Sequence, residues 1–339
     1  MPTIDASLGT SAVRHVRDIL ELAVEHGPSG RAIVVSDAGS GLSQILREAY
    51  RVCLPSALHL DFEALSAAEI LAAFEALGPG DLVVLVQSTS FRLEEFRIRV
   101  ELFRRGLKVI EHPHLARMRV EEYGHYIDAL AYDPAYYRVV GSALKERIDR
   151  ASVAVVDSGS ELLVYESGFE PAKLNVGDYR ALKNVGGQFP IGEVFTEASD
   201  LTRVNGRVRI FVFGDTSFHV NAPEIPITLV IRHGKVVDVV DATVEFERVL
   251  AQISAEEELW IRELGFGMNR ALTRERLVSD IGTYERMCGI HLSLGAKHGV
   301  YNKPNLKRKE SKYHVDVFAV TERVTLDNQV VYRDGGWCV

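Results

Sequence analysis

Cysteines and long apolar segments are scarce in this sequence. Its 339 residues include only three cysteines, Cys53, Cys288 and Cys338, an odd number at spacings that fit neither a disulfide framework nor a zinc ribbon. No window approaches the length of a membrane-spanning helix, and the first residues lack the apolar core of a signal peptide. We therefore expect reduced thiols, a cytoplasmic location and no membrane partner.

An excess of positive charge is also absent. The 47 acidic and 39 basic residues give a formal net charge of -8, which argues against nucleic acid as a partner. The hydrophobic share of 47% and the charged share of 25% are typical of an ordinary globular protein. Because 339 residues exceed what one hydrophobic core usually supports, we expect two domains.

The first half of the sequence alternates helical and strand patterns. Short apolar runs predict buried strands at residues 32–35, 82–86, 107–110 and 153–156. Helical spacing predicts helices at residues 13–26, 66–78, 91–105 and 143–151, with a loop at 132–137. Ser66 and Glu69 have the spacing of a capping box. Since helices usually join parallel strands, this alternation predicts an α/β domain with a parallel, Rossmann-like sheet.

The second half follows a different pattern. Alternating or apolar runs predict strands at residues 207–213, 227–232, 235–240, 314–320 and 329–332, with a helix at 243–254. His233-Gly234 between two of these strands is a strong hairpin signal and favours antiparallel pairing. We therefore predict a C-terminal α+β domain and place the boundary near residue 160, which gives domains at residues 1–160 and 161–339.

Two motifs of the first half have a structural and a functional interpretation. The turn at residues 37–41 follows a strand, but it lacks G-x-G-x-x-G and a Walker lysine, so a strand-to-helix turn is favoured over a nucleotide loop. His112 and His114 could form a metal pair, or they could lie at a rim or interface at the end of a strand.

Two motifs of the second half are equally open. Asp215, Ser217 and His219 would share one face of an extended segment and line a substrate cleft, although a hairpin loop explains them as well. The basic run at residues 307–309, with Lys303 and Lys312, is usually a solvated loop, but it could attract a substrate carboxylate.

The segment around His314-Val315-Asp316 carries the sharpest chemical signal. Alternate residues of a strand share one face, so His314 and Asp316 would point the same way while Val315 points to the other side. Their Cα atoms would then be about 7 Å apart, close enough for both side chains to bind one ion. Taken alone, such a pair is more often a surface hydrogen bond.

Three ionisable residues interrupt apolar runs in the same half of the chain. They are His291 in an alternating segment, Glu263 among large apolar residues, and Glu193 between Ile191 and Phe195. Buried imidazoles and carboxylates need partners. For His291 the partner is either a hydrogen bond or a metal, and for each glutamate it is either a metal or an ion pair with Arg262, Arg270 or Arg286.

Together these positions offer a mixed set of nitrogen and oxygen ligands. Two imidazoles and three carboxylates suit borderline or hard divalent ions such as Zn, Mn, Co or Fe(II). The proposed ligands are Glu193, Glu263, His291, His314 and Asp316. Two ions that share a carboxylate would use all five, and would support hydrolysis by an activated water.

The four segments that carry these residues resemble the M29 family of metallo-aminopeptidases. They are Phe-Pro-Ile-Gly-Glu-Val-Phe-Thr (189–196), Glu-Leu-Gly-Phe-Gly-Met-Asn (263–269), Gly-Ile-His-Leu-Ser-Leu-Gly (289–295) and His-Val-Asp (314–316). The resemblance covers roughly the C-terminal half and implies a two-metal centre on the five ligands named above. It also implies a homodimer and a small peptide or other small molecule as substrate, with Glu193 or Glu263 handling the proton.

The resemblance also shows a departure and a second relative. The family has an active-site tyrosine shortly after the third segment, and the matching position here is His298, which we take as a third catalytic candidate. The related 2,5-dihydroxypyridine dioxygenases hold one Fe(II) with two His and one Asp. Ring-cleaving dioxygenation and a non-catalytic binding protein are therefore the alternatives to an aminopeptidase.

Overall fold

The computed structural model describes residues 6–27, 29–91, 93, 98–304, 306 and 310–339. The chain forms two compact units that interleave in sequence. The first unit takes its residues from 1–137, 177–191 and 276–280, and the second from 138–176, 192–275 and 281–339. Neither unit is one continuous stretch of the chain, and the division into domains at residues 1–160 and 161–339 stays a prediction.

The helices and strands are as follows. The helices are α1 (Ala6–Asp18), α2 (Gly41–Cys53), α3 (Ala67–Phe74), α4 (Ile98–Arg104), α5 (Tyr123–Ala129), α6 (Pro134–Arg150), α7 (Val244–Ser254) and α8 (Ile281–Tyr284). The strands up to residue 200 are β1 (Ala32–Ser36), β2 (Leu58–Asp61), β3 (Leu82–Val86), β4 (Lys108–His112), β5 (Ala154–Asp157), β6 (Leu162–Tyr165), β7 (Lys173–Asn175), β8 (Gly186–Gln188) and β9 (Glu193–Glu197). The later strands are β10 (Val204–Gly214), β11 (Val220–Asn221), β12 (Ile227–Arg232), β13 (Lys235–Val240), β14 (Ile261–Gly267), β15 (Gly289–Leu294), β16 (Val315–Ala319), β17 (Arg323–Leu326), β18 (Gln329–Arg333) and β19 (Gly336–Trp337).

A five-stranded parallel sheet forms the centre of the first unit. Its strand order is β2-β1-β3-β4-β8, and every neighbouring pair is parallel. All five residues of β1 and of β3 are buried, as expected for short aliphatic runs covered on both faces. The predicted α/β domain with a parallel sheet is confirmed.

Local capping signals set the starts of two helices in this unit. The predicted capping box before α3 is present, since Ser66 Oγ accepts from Glu69 N at 3.3 Å and Glu69 Oε2 accepts from Ser66 N at 2.8 Å. The turn at residues 37–41 leads from β1 into α2, whose first turn is capped by Ser40. The strand-to-helix interpretation of this turn is therefore confirmed.

Three boundary predictions differ from the structure. The helix predicted at residues 13–26 begins at Ala6 and continues from Ile19 to Ala23 as a π-helix. The helix predicted at 91–105 is present only as α4, and residues 92 and 94–97 of that prediction lie outside the described residues. The loop predicted at 132–137 is wrong from Pro134 onward, because Asp133 caps the amide of Tyr136 and proline is well suited to the first helical position.

The second unit is built on a large, mainly antiparallel sheet. Its main path runs β19-β18-β17-β5-β6-β10-β16-β15-β14-β9-β7, and β11, β12 and β13 extend it from β10. The predicted hairpin joins β12 to β13, with His233 and Gly234 at positive φ values of 49° and 76°. The predicted antiparallel α+β architecture is confirmed. None of the described helices is long and apolar enough to cross a membrane.

His112 is a core residue of the first unit and does not pair with His114. Its side chain is fully buried, with Nε2 2.8 Å from Tyr50 Oη and Nδ1 3.0 Å from Tyr126 Oη. His114 Nε2 lies instead 3.1 Å from Ser90 Oγ. The suggested metal pair is therefore wrong, since both ring nitrogens of His112 are already used by tyrosine hydroxyls.

Burial of His112 gives a testable dependence of stability on pH. Burial lowers the pKa of His112 to about 3, whereas an unfolded histidine titrates near 6.5. The unfolded chain binds the extra proton first, so this contribution to stability is complete above pH 6.5 and is lost as the pH falls towards 3. The expected slope is at most about 1.4 kcal/mol per pH unit.

We predict that His112→Gln reduces the acid dependence of the free energy of unfolding between pH 6 and pH 4. Urea unfolding at a series of pH values measures this slope. The control is His219→Gln, because His219 is largely exposed. An unchanged slope in His112→Gln would show that His112 is not buried as the neutral form.

Candidate metal centre

Four neighbouring antiparallel strands, β9, β14, β15 and β16, bring the predicted ligands together on one face of the second unit. Gly265 of β14 lies opposite His291 of β15, and Asp316 of β16 lies opposite Ser293, two residues along β15 from His291. Residues two apart in a strand share a face, so His291 and Asp316 project from the same side of the sheet.

Two features of β14 allow Glu263 and His291 to meet. The register with β15 shifts between Ile261 and Leu264, and such a bulge re-aims the side chains within it. Glu263 lies in this irregular segment, where its amide donates to Ser293 Oγ at 2.9 Å. At Gly265 a Cβ atom would lie only 2.0 to 2.6 Å from three atoms of the His291 ring. The imidazole therefore occupies the space that any other residue at position 265 would fill.

Glu193, Glu263 and His291 form a buried triad. His291 Nε2 lies 3.2 Å from Glu193 Oε1 and 3.3 Å from Glu263 Oε1. One potential ligand atom from each residue lies within 4.8 Å of the other two. The structure thus brings together three of the five predicted metal ligands from three different strands.

His298 contacts the other oxygen of Glu263. Its Nε2 lies 3.0 Å from Glu263 Oε2, so the two oxygens of this carboxylate face two different imidazoles. The ring of His298 is also 6.0 Å from that of His314, measured between ring centroids. The residue at the family's tyrosine position therefore lies beside the triad.

His314 and Asp316 form the remaining pair of predicted ligands. His314 Nε2 lies 3.1 Å from Asp316 Oδ1, but within the described residues no N–H is directed at that buried oxygen in hydrogen-bond geometry. His314 Nδ1 lies 3.2 Å from the carbonyl oxygen of Lys297, to which it donates if it carries the proton. A ring nitrogen anchored in this way leaves Nε2 free to bind an ion.

Arg286 and Glu285 complete the charged cluster. Arg286 Nη1 lies 2.9 Å from Glu193 Oε2 and 2.6 Å from Glu285 Oε2. The ion pair that sequence reasoning set against a metal at Glu193 is therefore real, yet Glu193 still directs Oε1 at His291. A carboxylate has two oxygens, so the two interpretations do not exclude each other.

The pKa values show that the cluster has a strong negative potential. Burial would lower the pKa of His291, but hydrogen bonds with Glu193 and Glu263 outweigh burial and raise it well above its ordinary value. Burial also opposes the charged form of His314, yet the Asp316 carboxylate raises the pKa of His314 to about 10. The same potential that favours these protons would favour a divalent cation.

The fold of the chain is shared with a solved bacterial protein. The structure of wild-type AmpT from Thermus thermophilus superposes with a TM-score of 0.58, over 97% of this chain and 99% of that one, at 14% sequence identity. No protein-family model matches this chain, and no curated protein matches it in sequence. The likeness thus lies in the three-dimensional fold, and it extends over both units.

The residues present fit a divalent ion. Two atoms that each lie about 2.1 Å from one ion can be at most about 4.2 Å apart, and both distances from His291 Nε2 are shorter than that. The donor set is one imidazole nitrogen and two carboxylate oxygens, all of them buried. The unsatisfied Oδ1 of Asp316 offers a further oxygen ligand in the same cluster.

A second buried ion network lies beneath His298. Glu197 Oε2 pairs with Arg262 Nη2 at 3.0 Å, and Glu197 Oε1 lies 3.7 Å from Lys303 Nζ. Lys303 also binds Glu170 at 2.5 Å. Sequence reasoning missed Glu197, although its spacing of four from Glu193 in the same strand places both on one face.

The other candidate motifs lie outside this cluster. Asp215 Oδ1 accepts from the amides of Ser217 and His219 at 2.8 and 2.9 Å, so this segment is a turn and not the extended face of a cleft. Lys312 pairs with Glu256 at 2.7 Å. The basic run at residues 307–309 lies outside the described residues.

We predict that Gly265→Ala weakens metal binding at least tenfold. The new methyl group would overlap the His291 ring and displace its Nε2 from the two glutamates. Titration with Zn²⁺ against a chromophoric chelator measures the affinity. Gly336→Ala is the control, because a Cβ there meets nothing within 4 Å. Equal affinities in the two variants would show that His291 does not bind the ion.

Proposed function

We propose that the chain is a divalent-metal-dependent hydrolase that removes N-terminal residues from small peptides. The observation that carries this proposal is the convergence of Glu193, Glu263 and His291, whose ligand atoms lie within 4.8 Å of one another. The fold likeness to AmpT supports it, because the four sequence segments resemble the M29 aminopeptidases to which AmpT belongs. Homodimer formation and a cytoplasmic location remain expectations.

In this proposal Glu193 Oε1, Glu263 Oε1 and His291 Nε2 hold the ion, and His314 with Asp316 extends the site. A bound divalent ion would polarise the substrate carbonyl and lower the pKa of water at the site. Arg286 stays paired with Glu193 Oε2, which fixes the rotation of that carboxylate and leaves its other oxygen directed at the ion.

The proton-accepting role fits Glu285 better than Glu193 or Glu263. Both oxygens of Glu193 and both of Glu263 already face a histidine or an arginine. Glu285 uses only Oε2, towards Arg286, among the described residues, and its side chain is 26% exposed. Burial raises the pKa of Glu285 to about 8, with Arg286 opposing the rise and Asp316 adding to it. In this proposal the ionised form of Glu285, which predominates above about pH 8, takes a proton from water at Oε1 and returns it to the leaving amine.

The residue types that converge in the triad do not favour a ring-cleaving dioxygenase. A facial triad for Fe(II) contains two histidines and one carboxylate, whereas the closest group here contains one histidine and two glutamates. Oxygen uptake by the Fe(II)-loaded protein with a dihydroxylated aromatic ring would instead support a dioxygenase.

Peptide hydrolysis is the direct test of the proposal. We expect the protein, stripped by a chelator and reloaded with Zn²⁺, Mn²⁺ or Co²⁺, to release the first residue of a short peptide with a free N-terminus. The same peptide with an acetylated N-terminus should remain intact. If no metal restores cleavage of any unblocked peptide, the aminopeptidase proposal is wrong.

Two substitutions separate metal binding from proton transfer. Glu263→Gln should weaken metal affinity by at least tenfold, because a neutral amide replaces a charged ligand. Glu285→Gln should lower kcat by about 100-fold, the lower end of the usual effect of a general base, and leave metal affinity within error of the wild type. Chelator competition and steady-state kinetics measure the two quantities.

The matched control for both variants is Glu247→Gln, on the exposed side of α7. It should change neither quantity. Full activity in Glu285→Gln would return the proton-accepting role to Glu193 or Glu263.

A further inference from the structure

His298 is held between two backbone amides and one carboxylate. Its Nδ1 accepts from the amides of Val300 and Tyr301, at 3.2 and 3.3 Å, and its Nε2 lies 3.0 Å from Glu263 Oε2. The ring stacks on Tyr301 with centroids 5.3 Å apart and planes inclined by 25°. The side chain is 2% exposed.

These contacts assign the tautomer of His298. A ring nitrogen that accepts N–H groups has its lone pair in use and carries no hydrogen, so the single hydrogen of the imidazole lies on Nε2. The nearby Glu197 does not reverse this assignment, although its Oε2 is 3.9 Å from Nδ1. Its charge is balanced by Arg262 at 3.0 Å and Lys303 at 3.7 Å.

The same reasoning indicates that His298, unlike His314, is not a metal ligand. His314 has its Nδ1 on a carbonyl oxygen, which favours hydrogen on Nδ1 and a free lone pair on Nε2. His298 has the opposite arrangement, with amide donors on Nδ1 and hydrogen on Nε2. An imidazole in this state can donate one hydrogen bond from Nε2, but it has no lone pair there to give to an ion.

We propose that His298 is a positioning residue that fixes Glu263 through an Nε2–H donor and does not bind the metal. By holding Glu263 Oε2, it keeps Glu263 Oε1 directed at the ion site beside His291. A tyrosine hydroxyl is also a single donor, which explains how a histidine can stand where the resemblance places a tyrosine. The inference rests on the metal site of the proposed function, but not on the reaction.

Metal affinity of two variants tests this role. His298→Phe keeps an aromatic ring but removes the donor, and we expect Zn²⁺ affinity to fall by about 10- to 100-fold, as for other residues that orient a ligand. His298→Gln can place an N–H at a similar point and should keep most of the affinity. Zn²⁺ stoichiometry, from elemental analysis, should be the same in the wild type and His298→Gln.

Two results would overturn the proposal. One is a lower Zn²⁺ stoichiometry in His298→Gln, which would make His298 a ligand. The other is an unchanged affinity in His298→Phe, which would mean that Glu263 needs no support from this side.

The tautomer can be read directly, even if His298→Phe does not fold. Long-range ¹H–¹⁵N correlation spectra of the wild-type protein, with and without Zn²⁺, should show a His298 ring protonated at Nε2 and bare at Nδ1. The signal is assigned by its absence from His298→Gln. Hydrogen at Nδ1, or at both nitrogens, would contradict the proposal.

Failure of the two proposals can be told apart. If peptides are not cleaved but the two His298 variants differ in Zn²⁺ affinity as expected, only the aminopeptidase function is lost. If cleavage is observed and the affinities do not differ, His298 has another role in an enzyme of the proposed type.

Discussion

Two buried glutamates aimed at one imidazole are the constraint on which the site depends. Carboxylates are rarely buried without a partner, because removing a charge from water is very unfavourable unless another charge or strong donors replace the water. Glu193 and Glu263 meet this requirement on both of their oxygens: Arg286 and His291 face the first, and His291 and His298 face the second. The surrounding strands and the segments that flank β15 must therefore hold five charged or polar side chains in one small volume, and this demand explains the local departures from a regular sheet.

Two of these departures lie in the backbone of β14. Gly265 is needed because the His291 ring crosses the face of β14 at that point, and an ideal Cβ would overlap the ring. The register of β14 with β15 also shifts between Ile261 and Leu264, so Glu263 lies in an irregular segment where its amide donates to Ser293 Oγ. A larger residue at position 265 would have kept Glu263 and His291 apart. The glycine and the bulge are thus part of the site as much as the ligands are.

Sequence patterns predicted the elements better than the contacts between them. The hairpin at His233 and Gly234 and the capping box at Ser66 follow from local chemistry, which neighbouring residues fully specify. The helix predicted at residues 143–151 is present as the second half of α6, but its start at Pro134 was missed although Asp133-Pro134 is itself a helix-start signal. The ligand residues stood out because single polar residues interrupted apolar runs. The bulge in β14, the pairing of Arg286 with Glu193 and the role of Glu285 depend on cross-strand register, which no single segment encodes.

The charged groups also form one connected series, which affects how each can be interpreted. From His298 it passes through Glu263, His291 and Glu193 to Arg286 and Glu285, so that carboxylates alternate with basic groups. In such a series each group orients its neighbours, and hydrogen bonds in a low-dielectric interior reinforce one another. A substitution at one position also affects residues beyond its direct partner. The partner is itself buried, so losing one interaction changes how it interacts with the next residue in the series. The ligand geometry is therefore a property of the whole series, and the residues behind the triad shape it alongside those that would touch the ion.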